Sequence, residues 1–256
     1  MAGKDTNVPA APVAGARKRL VVNADDLGLS RGVNRGIFEA HERGIVTSAS
    51  LMVRWSAVRE GAAYAKSHPR LGVGLHLDFA EWAIRDEQWV RLYEVVNLDD
   101  PRAVRSEVDR QIEGFLHLMD AAPTHLDSHQ HVHQDVRVRG VVEEAAARLG
   151  VPLRHDGRIR YCGDFYGQDE HGAPYPDGIC VDALVRVIRA LPGGSVTEMA
   201  CHPGYDDTAE DGGPPDTMYW RERTLEVAAL CDPRVRQAVE ASGVELLNFR
   251  DVTANV

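Results

Sequence analysis

Apolar residues recur along this chain in two alternating patterns. Short runs of Val, Ile and Leu are followed by stretches in which apolar positions return every three or four residues. These are the signatures of buried strands and of helices with one apolar face. The runs predict strands over 20–22, 46–53, 71–77, 124–127, 151–154, 196–201 and 244–249. The longer pattern predicts helices between them, and their ends carry local punctuation. Ser30 caps a helix that runs to Arg43 and is closed by Gly44, and Ser56 caps one that Pro69 stops. Asp100-Pro101 opens a long helix to Met119, with proline in the tolerated first turn. Helices over 136–149, 182–191, 220–230 and 233–241 complete the series.

Strand and helix alternate over most of the chain, which implies a parallel sheet with helices outside. Seven strands favour an incomplete (β/α) barrel over an open doubly wound sheet. No glycine-rich loop follows the first strand, which weakens a dinucleotide-binding reading. The expected organisation is a flexible tail over residues 1–18 and one domain over 19–256. A length of 256 residues, 44% of them hydrophobic, suits a single barrel.

Charge and cysteine usage narrow the partners. A formal charge of −10 argues against nucleic acid. No apolar run reaches the roughly 20 residues that span a bilayer. The first sixteen residues lack a continuous apolar segment, so they do not read as a signal peptide. Cys162, Cys180, Cys201 and Cys231 are dispersed and read as free thiols of a cytoplasmic protein. A homodimer is expected only because dimers are the commonest soluble oligomers.

The unusual chemistry lies at the ends of expected strands. Asp25-Asp26 follows the first strand, and His76 ends the third. The row Thr124-His125-Leu126-Asp127-Ser128-His129-Gln130-His131-Val132-His133 ends the fourth, and Cys201-His202-Pro203-Gly204 follows the sixth. In a parallel barrel those ends share one rim, where active sites are built. The histidines and aspartate of the row all stand at odd positions, so an extended chain would point them to one face. Such a row has little use in a fold and an evident use around a divalent cation. One carboxylate and two histidines make a three-donor site with open positions, suited to Zn²⁺, Fe²⁺, Co²⁺, Ni²⁺ or Mn²⁺. The adjacent aspartate is then free to act as a base, and His202 as an acid. Spacing does not choose among His125, His129, His131 and His133. The aromatic loop 164–175 reads equally as a sugar-stacking wall or as a cover over the barrel mouth.

Together, Asn23-Ala24-Asp25-Asp26-Leu27-Gly28, Gly44-Ile45-Val46-Thr47-Ser48, Ser50-Leu51-Met52, Gly74-Leu75-His76-Leu77, the histidine row and Cys201-His202-Pro203-Gly204 resemble the YdjC-like family of carbohydrate deacetylases. The resemblance runs from about residue 19 to 250. It implies a distorted seven-stranded (β/α) barrel of the glycoside hydrolase/deacetylase type and removal of an acetyl group from an N-acetylated sugar, oligosaccharide or sugar conjugate. It also implies one divalent metal, Mg²⁺ by family usage against Zn²⁺ or another transition metal by ligand type. Carried over by position, Asp26, His76 and His129 are the metal ligands, Asp25 the base and His202 the acid. Asp127, His131, His133 and Arg154 are candidates for supporting those ligands or touching substrate. Leu27 stands where the family usually has Phe, and segment 79–98 is short. Two other readings stay open: a metal-dependent phosphoesterase on a similar barrel, with two or three ions, and a non-catalytic saccharide-binding protein.

Overall fold

The computed structural model describes residues 16–85, 88–169, 171–206 and 219–253. The chain begins with β1 (Lys18–Leu27), α1 (Arg31–Glu42), β2 (Ser48–Leu51), α2 (Val58–Ser67) and β3 (Gly72–Leu77). A hairpin follows, β4 (Ala80–Arg85) and β5 (Gln88–Glu94), then α3 (Pro101–Met119), β6 (Leu126–Ser128) and α4 (Arg139–Leu149). The last part holds β7 (Arg160–Cys162), α5 (Val181–Ala190), β8 (Val196–Cys201), α6 (Trp220–Cys231), α7 (Pro233–Ala241), β9 (Val244–Leu246) and α8 (Phe249–Thr253).

Seven strands form one parallel sheet in the order β6-β3-β2-β1-β8-β7, with β9 also paired to β1. It is a curled, incomplete barrel with helices outside. β1, the longest strand, is buried over nearly its whole length, as a strand flanked by sheet and covered by helices must be. One large apolar cluster joins β1, β2, β3 and β6 to α1, α3 and α5. Caps at Ser30, Asp100 and Asp232 each satisfy first-turn amides of the following helix. No helix among the described residues is long and apolar enough to cross a membrane.

The strand count agrees with the sequence pattern, but the membership differs. Segment 151–154 contributes a single bridge, Leu153 to Leu126. Pro152 has no amide hydrogen to donate, and His155 at φ 67° turns the chain away. β7 takes the place instead, in a stretch without an apolar run. The hairpin β4–β5 lies outside the barrel sheet and neither strand carries an apolar run, with β4 mostly buried and β5 mostly exposed. α2 has Ala57 at its cap position and no side-chain cap, so Ser56 does not play that part. The tail does not extend to residue 18: Lys18 already pairs with Val244, and Gly194 N–H donates to the Arg17 carbonyl at 3.0 Å.

Candidate active site

Adjacent residues of a regular strand point to opposite faces. Asp25 and Asp26 nevertheless both line one cleft of about 850 Å³. The register of β1 against β2 shifts between Ala24 and Leu27, and Asp26 sits in the left-handed region at φ 69°. That bulge re-aims the second carboxylate, and a non-glycine residue held there is a strained feature of the kind that concentrates at functional sites.

The two aspartates have different partners. Arg154 grips Asp25 through two hydrogen bonds of 2.7 Å, and the Asn23 amide adds one at 2.8 Å. Burial alone would raise the Asp25 carboxyl, but the Arg154 guanidinium outweighs it and holds the group below the usual carboxylate range. Asp26 meets imidazoles instead. Its Oδ1 lies 3.3 Å from His76 Nε2 and 3.1 Å from His129 Nδ1, while Arg223 donates to its Oδ2. Burial is again overcome, here by Arg223 and His129, and Asp26 lies well below its ordinary value.

His76 occupies β3 opposite Asp127 on β6, and Asp127 Oδ1 takes its Nδ1–H at 2.8 Å. This fixes Nε2 toward Asp26, the support that metal-ligating histidines generally have. Burial would lower the His76 imidazole, but Asp127, Asp26 and Asp25 raise it to about 10. Asp127 also accepts from Ser50 at 2.7 Å and pairs with Arg154 at 2.9 Å. Arg154 reaches a third carboxylate, Glu198 on β8, at 2.6 Å. Burial lifts Glu198 to about 7 against the pull of Arg154.

Among the described residues, three groups of side chains approach closely enough to share a cation: Asp26-His76-His129, Asp25-His76-Asp127 and His131-His133-His155. In the second, Arg154 already supplies the positive charge. In the third, His133 uses both ring nitrogens, with Ser128 Oγ at 2.7 Å and the Arg154 carbonyl at 3.1 Å. Burial keeps that imidazole neutral, down to about 3, and Arg154 adds to the effect. All three members of the first group line the cleft, and one of its imidazoles, His76, is backed by Asp127. There Asp26 Oδ1 meets His76 Nε2 at 3.3 Å and His129 Nδ1 at 3.1 Å, so the residues fit a divalent cation by donor type and by support.

The histidine row does not share a face. The strand ends at Ser128, and Gln130 and His131 adopt left-handed backbone at φ 49° and 55°, turning the chain at the cleft floor. His125 points into the barrel, bonded to Ser50 at 3.0 Å and stacked on Phe249 at 3.7 Å. It packs over Gly74, where a Cβ would stand 2.4 Å from its ring. His129 faces Asp26, His131 lines the cleft wall beside Tyr161 at 3.2 Å, and His133 is structural.

His202 follows β8, with its Nε2 3.8 Å from Asp25 Oδ2. The loop holding it lies against α1 so tightly that a Cβ on Gly36 would meet Gly204 at 2.4 Å. Burial lowers the His202 imidazole to about 4, more than Asp25 and Asp26 raise it. Its backbone N–H donates to Glu226 of α6, and Glu226 Oε1 lies 3.9 Å from its Nδ1. Burial raises Glu226 to about 8. Glu81, Glu198, Arg223 and Glu226 were not found from sequence. The available signal was a charge inside an apolar strand at Glu198 and on the buried side of α6 at Arg223 and Glu226. In the aromatic loop, Phe165 is buried and Tyr166 lines the cleft, its ring 5.7 Å from that of His202.

The family model described as YdjC-like protein matches residues 19–241. A carbohydrate deacetylase of Geobacillus stearothermophilus is 34% identical, over 90% of this chain and 96% of its own. A chitooligosaccharide deacetylase of Enterobacter sp. (strain 638) is 32% identical, over 92% and 99%. Among solved structures, an Enterococcus faecalis protein provisionally named for cellobiose-phosphate cleavage superposes with a TM-score of 0.73 at 26% identity, covering 93% of this chain and 99% of that one.

Proposed function

The chain belongs to the YdjC-like family, and from that premise we propose that it is a carbohydrate deacetylase, a hydrolase that frees an amine from an N-acetylated saccharide. Asp26, His76 and His129 hold one divalent cation in this reading. A ligand set of one carboxylate and two imidazoles suits Zn²⁺, Co²⁺, Ni²⁺, Fe²⁺ or Mn²⁺ better than Mg²⁺, which prefers oxygen donors. When bound, such a cation supplies Lewis acidity toward the acyl carbonyl and acidifies water.

The observation behind the reading is the division of labour between neighbouring aspartates. Arg154 keeps Asp25 ionised and fixes both its oxygens, so Asp25 is a base with a set direction. It takes the proton of the attacking water. His202 is neutral near pH 7, so its acid form arises within the cycle, by transfer across the 3.8 Å from Asp25. It then protonates the departing amine, with Glu226 facing its other nitrogen. Arg154 and Asp127 position Asp25 and His76, and neither is among the residues that line the cleft.

A phosphoesterase with several ions draws less support, because His133 in the other imidazole cluster has both nitrogens engaged. A passive saccharide binder has no need of a fixed base beside a cation site. Free thiols suit the cytoplasm, which we infer as the compartment.

The test is amine release from a panel of N-acetylated sugars, with and without chelator, for wild type, Asp26→Asn and His129→Ala. The expected result is chelator-sensitive release that both variants lose together with bound metal. Full activity in either variant overturns the assignment.

A further inference from the structure

The hairpin β4–β5 presents two tryptophans to the cleft that the reaction above does not use. Its register sets Trp82 opposite Arg91 and Ile84 opposite Trp89. Positions 82 and 84 share one face of β4, and 89 and 91 one face of β5, so both indoles stand on the same side. Both line the cleft that holds Asp26 and His129, and Trp89 is 62% exposed. A large apolar ring left in water at the mouth of a polar cleft calls for an occupant.

The hairpin is anchored to the site. Gln130, directly after His129, accepts from Trp82 N–H at 2.9 Å and donates to the Trp82 carbonyl at 2.8 Å. Val95 N–H donates to the Phe79 carbonyl at 2.8 Å, and the Tyr93 hydroxyl donates to Asp78 at 2.9 Å. The base of the hairpin that carries the indoles is therefore tied to the loop of His129. Tyr161 and Tyr166 line the same cleft.

We propose that Trp89, backed by Trp82, is the stacking platform for a second, neutral pyranose ring next to the N-acetylated one. The occupant's chemistry rests on the deacetylase reading. A pyranose suits the position because its C–H face covers an indole while its hydroxyls stay in water. The space, about 850 Å³, lies toward the upper end of the roughly 300–1,000 Å³ of small-molecule sites and exceeds what one sugar ring fills. Neutrality follows from the charges that line it. Arg137 is taken by Asp135 at 2.7 Å and Asp99 at 3.0 Å, and Arg223 by Asp26. Glu81 and Asp169 add negative charge. Among the described residues of the lining, a phosphate meets no unpaired cation.

The experiment compares the affinities of N,N′-diacetylchitobiose, its 6-phosphate and N-acetylglucosamine by calorimetry. Asp25→Asn is present throughout to stop turnover, with and without Trp89→Ala. The expected result is a loss of about 5- to 10-fold for the disaccharide on Trp89→Ala, the worth of one aromatic stack. The monosaccharide is unchanged, and Trp89→Phe restores most of the loss. Equal losses for both sugars, or none, overturn the proposal. So does tighter binding of the 6-phosphate, or a change in sedimentation on Trp89→Ala, which would make the patch an interface between copies. Should wild type release no amine while the disaccharide preference and its loss persist, the deacetylase reading fails and the platform stands.

Discussion

Arg154→Met isolates the device on which the candidate site is built. The guanidinium is fully buried and bonded to Asp25, Asp127 and Glu198. Methionine fills similar space without charge, so the perturbation is electrostatic. Two of the three carboxylates, Asp25 and Asp127, are held below their ordinary value of 3.8, and Glu198 already sits near 7. Without Arg154 the raised cation of His76 answers one aspartate and the other is left uncompensated. Stranding a buried charge costs about 3–5 kcal/mol. The escape is to take up a proton. From 3.8, at about 1.4 kcal/mol per pH unit, that costs about 4 kcal/mol at pH 7 and about 1.6 kcal/mol at pH 5. The sign follows from linkage: depressed carboxyls give stability that is present above their unfolded value and lost as pH falls toward the folded one. Urea unfolding should therefore show Arg154→Met about 4 kcal/mol less stable at pH 7, with the gap narrowing to about 1.6 kcal/mol at pH 5. A loss under about 1 kcal/mol at pH 7, or an equal loss at both pH values, refutes this account of Arg154.

Three other outcomes are expected. His76 is raised to about 10, so in the metal-free protein it is protonated at pH 7 and a cation must displace that proton. Metal affinity should rise with pH, and calorimetry in buffers of different ionisation enthalpy should detect proton release; heats independent of buffer contradict it. Glu226 is raised to about 8 and is protonated below that value. If its proton supports His202, wild-type kcat falls above about pH 8, and Glu226→Gln removes that limb; an unchanged profile argues against the role. Gly74→Ala places a Cβ 2.4 Å from the His125 ring, and thermal unfolding should register about 1–3 kcal/mol of overpacking.

Chain-local physics determined much of this protein. The alternation of buried runs and amphipathic stretches marked a parallel (β/α) barrel and six of its seven strands, because a strand covered on both faces reads as a continuous apolar run, which β7 lacks. Parallel strands also put Asp25, Asp26, His76, His129 and His202 on one rim, since the C-terminal ends of such strands share a side. Resemblance alone singled out His129 within its row. What spacing could not give depended on where the chain leaves regular geometry and on charges brought together from far apart. The bulge that turns Asp26 beside Asp25 and the left-handed turn after His129 are backbone departures without a periodic signature. Arg154 meets Asp25 across 129 residues, and Arg223 meets Asp26 across 197. Such pairings are made by sheet order and helix docking, which is why tertiary structure alone decided which aspartate is gripped by an arginine and which faces the imidazoles.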